Sequence, residues 1–500
     1  MAAREPDAIV ETDHGRLSGA VESTVRVWKG IPFARPPVGA LRFCAPRPPE
    51  SWTGVRDATR FGSPCIQLPF FSAIDAPIVG SEDCLTLNVW SPAADGKRRP
   101  VLFWIHGGGW VMGTGSAYDA SLLAARADVV VVTVNYRLGP WGFLYLGDIE
   151  GQDVADSANP GVLDLVAALR WLAGNIARFG GDPDNVTIFG QSAGGMLVGT
   201  LLGLPAARGL FHRAIALSGA ARNVRDRDTG TRIADDLLRR VGLSRQKVND
   251  LRNVSAAQIY RAGAQILAES ANEMLDVEPF LPVVDGEVLP RHPTEAVAEG
   301  ASREVPLLVC TARDEMTIMV PECPQVLTGK EAFIRRKLGE AKFGELAEAY
   351  QRATDATRDW RLELLGATMF GIPAIRLAEA ACAAREPVWM ARMDYRLSVP
   401  PFDTCGATHL ADVLLIFEAS SNWSKTVAGA GTLEDKAVSD ALQSLIFGFA
   451  REGRPISRRI PEWPQYDRVT RATLIFDAQC QVERDPLSEQ RRAWDGIPLH

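Results

Sequence analysis

Ser192 stands in the run Gly190-Gln191-Ser192-Ala193-Gly194-Gly195, directly after the apolar stretch Val186–Phe189. A serine framed by Gly190 and Gly194 fits G-x-S-x-G. In that motif the chain turns so sharply from strand to helix that only glycines fit beside the serine, and its hydroxyl is left exposed at the helix N-terminus. An ordinary glycine-rich loop can carry the same short pattern, so the rest of a catalytic machine has to be found elsewhere in the chain.

A serine hydroxyl is a weak nucleophile unless a base takes its proton as it attacks. The chain has six histidines, and the chain order serine, acid, histidine leaves His292, His409 and His500 after Ser192. His292 lies between Pro290 and Pro293, and His500 is the final residue. His409, in "DTCGATHLADVLLIF", occupies a loop ahead of an apolar segment and has the most suitable setting. The acid that orients it should follow a strand between Ser192 and His409. "VPLLVCTARDE" supplies such a strand, followed by Asp314 and Glu315. Asp276, Asp285 and Asp403 compete but read as surface or turn carboxylates, and composition and spacing do not separate Asp314 from Glu315.

Acyl transfer also develops negative charge on the carbonyl oxygen, which needs fixed N–H donors. "HGGGW", His106 to Trp110, follows the strand-like "VLFWI", and its glycines let bare backbone amides approach a substrate. This is the HGGG type of oxyanion loop, completed by the N–H of Ala193 after the serine.

These parts need a rigid scaffold. "VLFWI" (101–105) and "VVVVTVNY" (129–136) read as strands buried on both faces. The segment 161–180 places Val162, Leu165, Val166, Leu169, Leu172 and Ile176 on one helical face. "GGDPD" then reads as a turn, "NVTIF" as a strand, and Ser192 opens a helix. Further strands are expected at "VRVWKGIPFA", "HRAIALSG", "VPLLVC", "PVWMARMDY" and "ATLIFD". The alternation predicts an α/β fold with a large, mostly parallel sheet and helices on both faces. Helical stretches from about 229 to 275 and from about 330 to 385 would pack over the sheet's C-terminal edge. No repeat, low-complexity tract or linker interrupts the 500 residues, so residues 1–500 read as a single domain.

The composition is globular, with 46% hydrophobic and 23% charged residues. Net charge is 54 − 61 = −7 without a basic run, which argues against nucleic acid or an anionic membrane surface as partner. The start, "MAAREPDAIVETDHG", lacks the apolar core of a signal peptide, and the expectation is a soluble, cytoplasmic protein. Eight cysteines occur without a CxxC or Cys/His cluster, so no metal site is expected and most read as buried thiols. No cofactor is needed for the chemistry outlined, and no interface pattern indicates an oligomeric state.

With these parts in view, the sequence resembles the type-B carboxylesterases, the family that includes the cholinesterases. "FGGDPDNVTIFGQSAGG" (179–195) resembles that family's nucleophile signature, and "EDCLTLNVWSP" (82–92) resembles its second signature. "KGIPFARPPVGALRF", "WIHGGGW", "VNYRLGPWGFL", "PVVDG" and "FGFAREGRP" extend the likeness over nearly the whole chain. The resemblance implies an α/β-hydrolase fold with helical insertions over the active site, and a serine carboxylesterase working through an acyl-enzyme. It implies Glu315 as the acid, His409 as the base, and Gly108, Gly109 and Ala193 as oxyanion donors. It also implies a Cys65–Cys84 disulfide.

Several departures stand out. Gln191 occupies a position where many relatives carry glutamate, so a negative charge beside the active-site gorge is missing. Met316 and Cys310 replace usual glycines. Ile74 stands where cholinesterases carry a choline-stacking tryptophan, so a cage for quaternary ammonium is not expected. Trp110, Gln191, Phe70, Phe71 and Phe370 are the candidate substrate-binding residues, suited to uncharged apolar or aryl esters, although ordinary core packing explains each phenylalanine equally well. A carbamate or amide substrate is the alternative for the same triad. A non-catalytic, adhesion-like relative is the remaining reading, opposed by the intact triad and glycines.

Overall fold

Strand β4 (Arg99–Ile105) and its neighbour β5 (Val130–Val134) show how the sheet is buried. Val101, Phe103 and Ile105 point into one apolar core, together with Val130, Val132 and Val134. Leu102, Trp104 and Val131 point into a second core. The two-residue period of a strand thus delivers alternate side chains to two layers, which is why both runs are apolar throughout.

The computed structural model describes residues 8–69, 77–149, 158–273, 278–319, 331–332, 334–400, 402–417 and 431–498. Among the described residues, eleven strands form one sheet. The others are β1 (Ala20–Glu22), β2 (Val25–Pro32), β3 (Thr86–Ser91), β6 (Gly181–Gln191), β7 (Arg213–Leu217), β8 (Leu307–Ala312), β9 (Val388–Met393), β10 (Ala472–Phe476) and β11 (Gln481–Arg484). Their spatial order is β11-β10-β9-β8-β7-β6-β4-β5-β3-β2-β1. Pairing is parallel from β5 through β10 and antiparallel at both edges. The strands read from the sequence are all present.

"GGDPD" departs from its reading as a turn between elements. Most of it lies inside β6, where Arg99 pairs with Gly181 but Val101 with Val186. Five residues on one strand therefore advance against two on the other, and the turn chemistry is spent on a large bulge within the strand.

Helices α1 (Pro160–Asn175) and α2 (Ala193–Leu202) feed the first core through Leu165, Leu169, Leu197 and Leu201. Helices α3 (Trp360–Gly366) and α4 (Ile372–Ala383) join the same core through Leu364 and Leu377. Between α3 and α4 the chain runs through a π-helical turn, Ala367–Gly371. The span Trp360–Ala383 is apolar enough to resemble a membrane helix, but 78% of its most apolar window is buried inside the protein. On the opposite face, α5 (Ala411–Ile416) and α6 (Leu433–Glu452) pack into the second core through Leu415, Leu442 and Phe449. A capping box at Thr432 and Asp435 starts α6, and Gly453, with φ 68°, ends it in a left-handed turn.

Candidate active site

Ser192 sits between the end of β6 and the start of α2, with φ 57° and ψ −127°. That backbone region is sparsely populated for a residue with a side chain and stores on the order of 1–3 kcal/mol. The surroundings hold it there. The Ser192 N–H donates to Leu217 C=O at 2.9 Å, and the Ser192 C=O accepts from the Met196 N–H at 2.9 Å. Gly194 is there because of close approach: a Cβ on it would lie 2.1 Å from Ile105 O, at the end of β4. The helix start can approach the end of β4 this closely only because residue 194 has no side chain.

The glycine loop leaves β4 directly and comes back against this elbow. A Cβ on Gly107 would lie 3.1 Å from Ser192 Cβ, so the loop abuts the serine. Gly108 and Gly109 have φ of 116° and 59°, which aims consecutive amides in directions that L side chains disfavour. Among the described residues, neither of these amides donates to another protein group. Ala193 is the first residue of α2, where an N–H has no partner within its own helix. The loop that carries the two glycine amides thus abuts the serine at Gly107, and the Ala193 N–H follows the serine directly.

Glu315 follows the end of β8. Its Oε1 accepts the Ala312 N–H at 2.8 Å, and its Oε2 lies 2.6 Å from His409 Nδ1. Both side chains are 3% exposed. This separates the two neighbouring acids: Glu315 meets the imidazole, whereas Asp314 accepts from the Ala407 N–H and from Arg358. Asp285 is spent on a turn, accepting from the Glu287 and Leu289 amides. Asp276 and His500 lie outside the described residues.

Other histidines have structural work. His292 Nδ1 accepts the Thr294 N–H at a helix start, and His212 Nδ1 accepts the Val186 N–H. His106 stacks on Tyr136 at 4.5 Å, and burial pushes its pKa down to about 4, so it stays neutral.

The second ring nitrogen of His409 does not bond to Ser192. Among the described residues no hydrogen bond joins Ser192 Oγ to the imidazole; Gln191 Nε2 lies 3.1 Å from His409 Nε2 instead. With Nδ1–H donated to Glu315, Nε2 carries a lone pair, and the Gln191 amide donates into it. Phe370, in the π-helical turn, places its ring 4.8 Å from the imidazole at an interplanar angle of 36°. Of the substrate-binding candidates, Gln191 and Phe370 thus touch the imidazole, both about 1% exposed, while Trp110 is buried at 1% in the first core. Phe70, Phe71 and Ile74 lie outside the described residues. Cys65 and Cys84 are joined by a disulfide with Cα atoms 4.9 Å apart.

Sequence reading missed Asp412, one helical turn past His409. Burial pushes its pKa up to about 6; the nearby His409 pulls it down and Glu315 pushes it further up. A lone aspartate at a helix start carries no signal of such burial. Among the described residues, no cluster of His, Cys, Asp or Glu suited to a metal ion occurs.

The carboxylesterase family profile matches residues 6–494. The chain is 39% identical to the para-nitrobenzyl esterase of Bacillus subtilis (strain 168), over 97% of this chain and 98% of that protein. It is 34% identical to the phenmedipham hydrolase of Pseudarthrobacter oxydans, over 95% of this chain and 97% of that one. Among solved structures, a Geobacillus stearothermophilus carboxylesterase superimposes with a TM-score of 0.86 at 39% identity, covering 97% of this chain and all of that one (100%). The chain belongs to the carboxylesterase family, with the α/β-hydrolase fold. It is a carboxylic ester hydrolase acting on small-molecule esters.

Proposed function

We propose that the protein hydrolyses uncharged apolar or aryl esters through an acyl-enzyme on Ser192, with His409 as base and Glu315 as its orienting acid. The observation that carries this reading is the 2.6 Å contact of Glu315 with His409 Nδ1, made by two buried side chains beside a strained serine at a strand-to-helix turn. His409 Nε2 exchanges the Gln191 amide for the Ser192 hydroxyl and takes its proton as Oγ attacks the ester carbonyl. The Gly108, Gly109 and Ala193 amides receive the developing oxyanion, each such donor contributing roughly 10²–10³ in turnover. The imidazolium then protonates the departing alkoxide. Water, activated by the same base, releases the acid from Ser192. The reading takes the whole chain as one catalytic domain, supported by a single sheet that draws strands from Ala20 to Arg484.

The similarity to a phenmedipham hydrolase supports a carbamate as the second substrate class for the same triad. The test compares wild type with Ser192→Ala on short-chain p-nitrophenyl esters and aryl carbamates. A burst of nitrophenol followed by turnover in wild type, and background rate in the variant, is the expected result. Turnover that survives Ser192→Ala overturns the assignment, and a kcat/KM higher on the aryl carbamates than on the esters would move the preferred class.

A further inference from the structure

Asp314 stands next to the acid of the proposed triad without taking part in it, yet it is buried and heavily bonded. It links the end of β8 to the loop that carries His409. The Asp314 N–H donates to Ala407 C=O at 2.9 Å, and the Ala407 N–H donates back to Asp314 Oδ2 at 2.8 Å. Thr408 forms an isolated parallel bridge to Asp314. Gly406, at φ 70°, makes room for the carboxylate: a Cβ there would lie 2.5 Å from Asp314 Oδ2. A second clasp lies beside the first. The Thr317 hydroxyl is 2.7 Å from Asp314 O and 2.8 Å from Thr408 Oγ1, which also accepts the Ile318 N–H at 3.1 Å.

The other oxygen of Asp314 accepts from Arg358, which precedes α3, and Arg358 Nη1 lies 2.8 Å from Glu363 within α3. The same helix runs on into the π-helical turn that sets Phe370 on the imidazole. π-Turns of this kind are frequent at functional sites. One guanidinium therefore links the acid's strand end to the helix that leads to Phe370, and Asp314, which it holds, bonds the histidine loop.

We propose that Asp314 and Arg358 form a positioning pair that fixes the Gly406–His409 loop, and with it the imidazole, against Glu315 and Ser192. The proposal rests on the triad reading above. A base displaced by about 1 Å loses on the order of 10²-fold in rate while ground-state binding is kept.

The charges around the two groups make the test decisive. Glu315 and Asp412 face His409; Arg313, Arg358, Glu363 and Arg392 lie around Asp314. Replacing Arg358 by glutamine removes a cation near the site, and that electrostatic change alone favours the imidazolium and moves the acidic limb of kcat/KM to higher pH. Loss of position separates the imidazole from Glu315 and moves the limb to lower pH. Opposite signs follow from the two causes.

The experiment measures kcat, KM, the pH profile and Tm for wild type, Arg358→Gln, Arg358→Lys and Asp314→Asn on p-nitrophenyl acetate. In Arg358→Gln the expected result is kcat down by about 10- to 100-fold, KM little changed, and the acidic limb moved down; Arg358→Lys should recover most of the rate. Asp314→Asn, which sets an amide N–H₂ against one of the two donors, Arg358 or the Ala407 N–H, should repeat the kcat loss if Arg358→Gln does not fold. A folded variant with wild-type kcat, even at lowered Tm, overturns the proposal, as does an acidic limb that moves up. Failure of the triad reading itself is seen separately, as turnover that persists in Ser192→Ala.

Discussion

Gln191 places its side-chain nitrogen 3.1 Å from His409 Nε2, in a position that is 1% exposed. Exchanging it for glutamate would set a carboxylate against the nitrogen that becomes charged when the base has taken a proton. Two unit charges at the observed 3.1 Å attract by about 1.3 kcal/mol under bulk-water screening and by about 5 kcal/mol at an effective dielectric near 20. Burying the new carboxylate takes back much of the larger figure, because a desolvated ion is itself costly. The expected net effect of Gln191→Glu is an acidic limb of kcat/KM moved up by roughly one to two pH units, each unit corresponding to about 1.4 kcal/mol. The sign follows from the role. A better-stabilised imidazolium leaves less free base at a given pH, so activity near neutrality falls and returns on the alkaline plateau. The assay is the pH dependence of p-nitrophenyl acetate hydrolysis, with thermal melts confirming that the variant is folded. A limb that stays in place, or moves down, in a folded variant would show that His409 Nε2 is not the titrating base or that Gln191 leaves it in solution.

Two further predictions concern the oxyanion loop and the buried carboxylate. In Gly108→Ala the new Cβ would lie 2.2 Å from Met112 O at a φ of 116°, so the loop must move and its amide with it; kcat should fall by roughly 10²–10³ while the fold persists, and an unchanged kcat would remove Gly108 from the donor set. Asp412, with its pKa pushed up from the ordinary 3.8 to about 6 by burial, holds its proton in the folded state after the unfolded chain has released it. Its contribution to stability is therefore fully present below the lower of those values and is lost as pH rises through the upper one, a loss of about 3 kcal/mol. Asp412→Asn should flatten the fall in stability across that window in denaturant titrations, and a variant that keeps the wild-type slope refutes the assignment.

Sequence and structure divide unevenly over this site. The nucleophile turn and the glycine loop are local: a few consecutive residues dictate a backbone that only glycine permits, and the pattern can be read without a fold. The strands are legible for a related reason, since a run buried on both faces must be apolar throughout, as in Val130–Val134. The choice between Asp314 and Glu315 is different. Two adjacent acids leave the end of a strand, and one meets the imidazole while the other meets a backbone amide and an arginine. Composition at those two positions cannot say which, and only the likeness to a known family separated them in advance. "GGDPD" misleads in another way, because turn residues serve equally well to loop out a bulge inside a long strand.

The sequence by itself determined the chemistry available to this protein: a serine in a turn that bares its hydroxyl, glycine amides in a loop after a buried strand, and, of three histidines well after the serine, one in a loop setting suited to a base. It also set the alternation of strands and helices that builds a parallel sheet. Tertiary structure decided which groups surround that histidine. Gln191 on its ring nitrogen, Phe370 on its face, the buried charge of Asp412 acting on it and Asp314 bonded to its loop come from separate strands, helices and loops. Their contacts span up to 218 residues of sequence, and no local pattern encodes a distance that only packing creates.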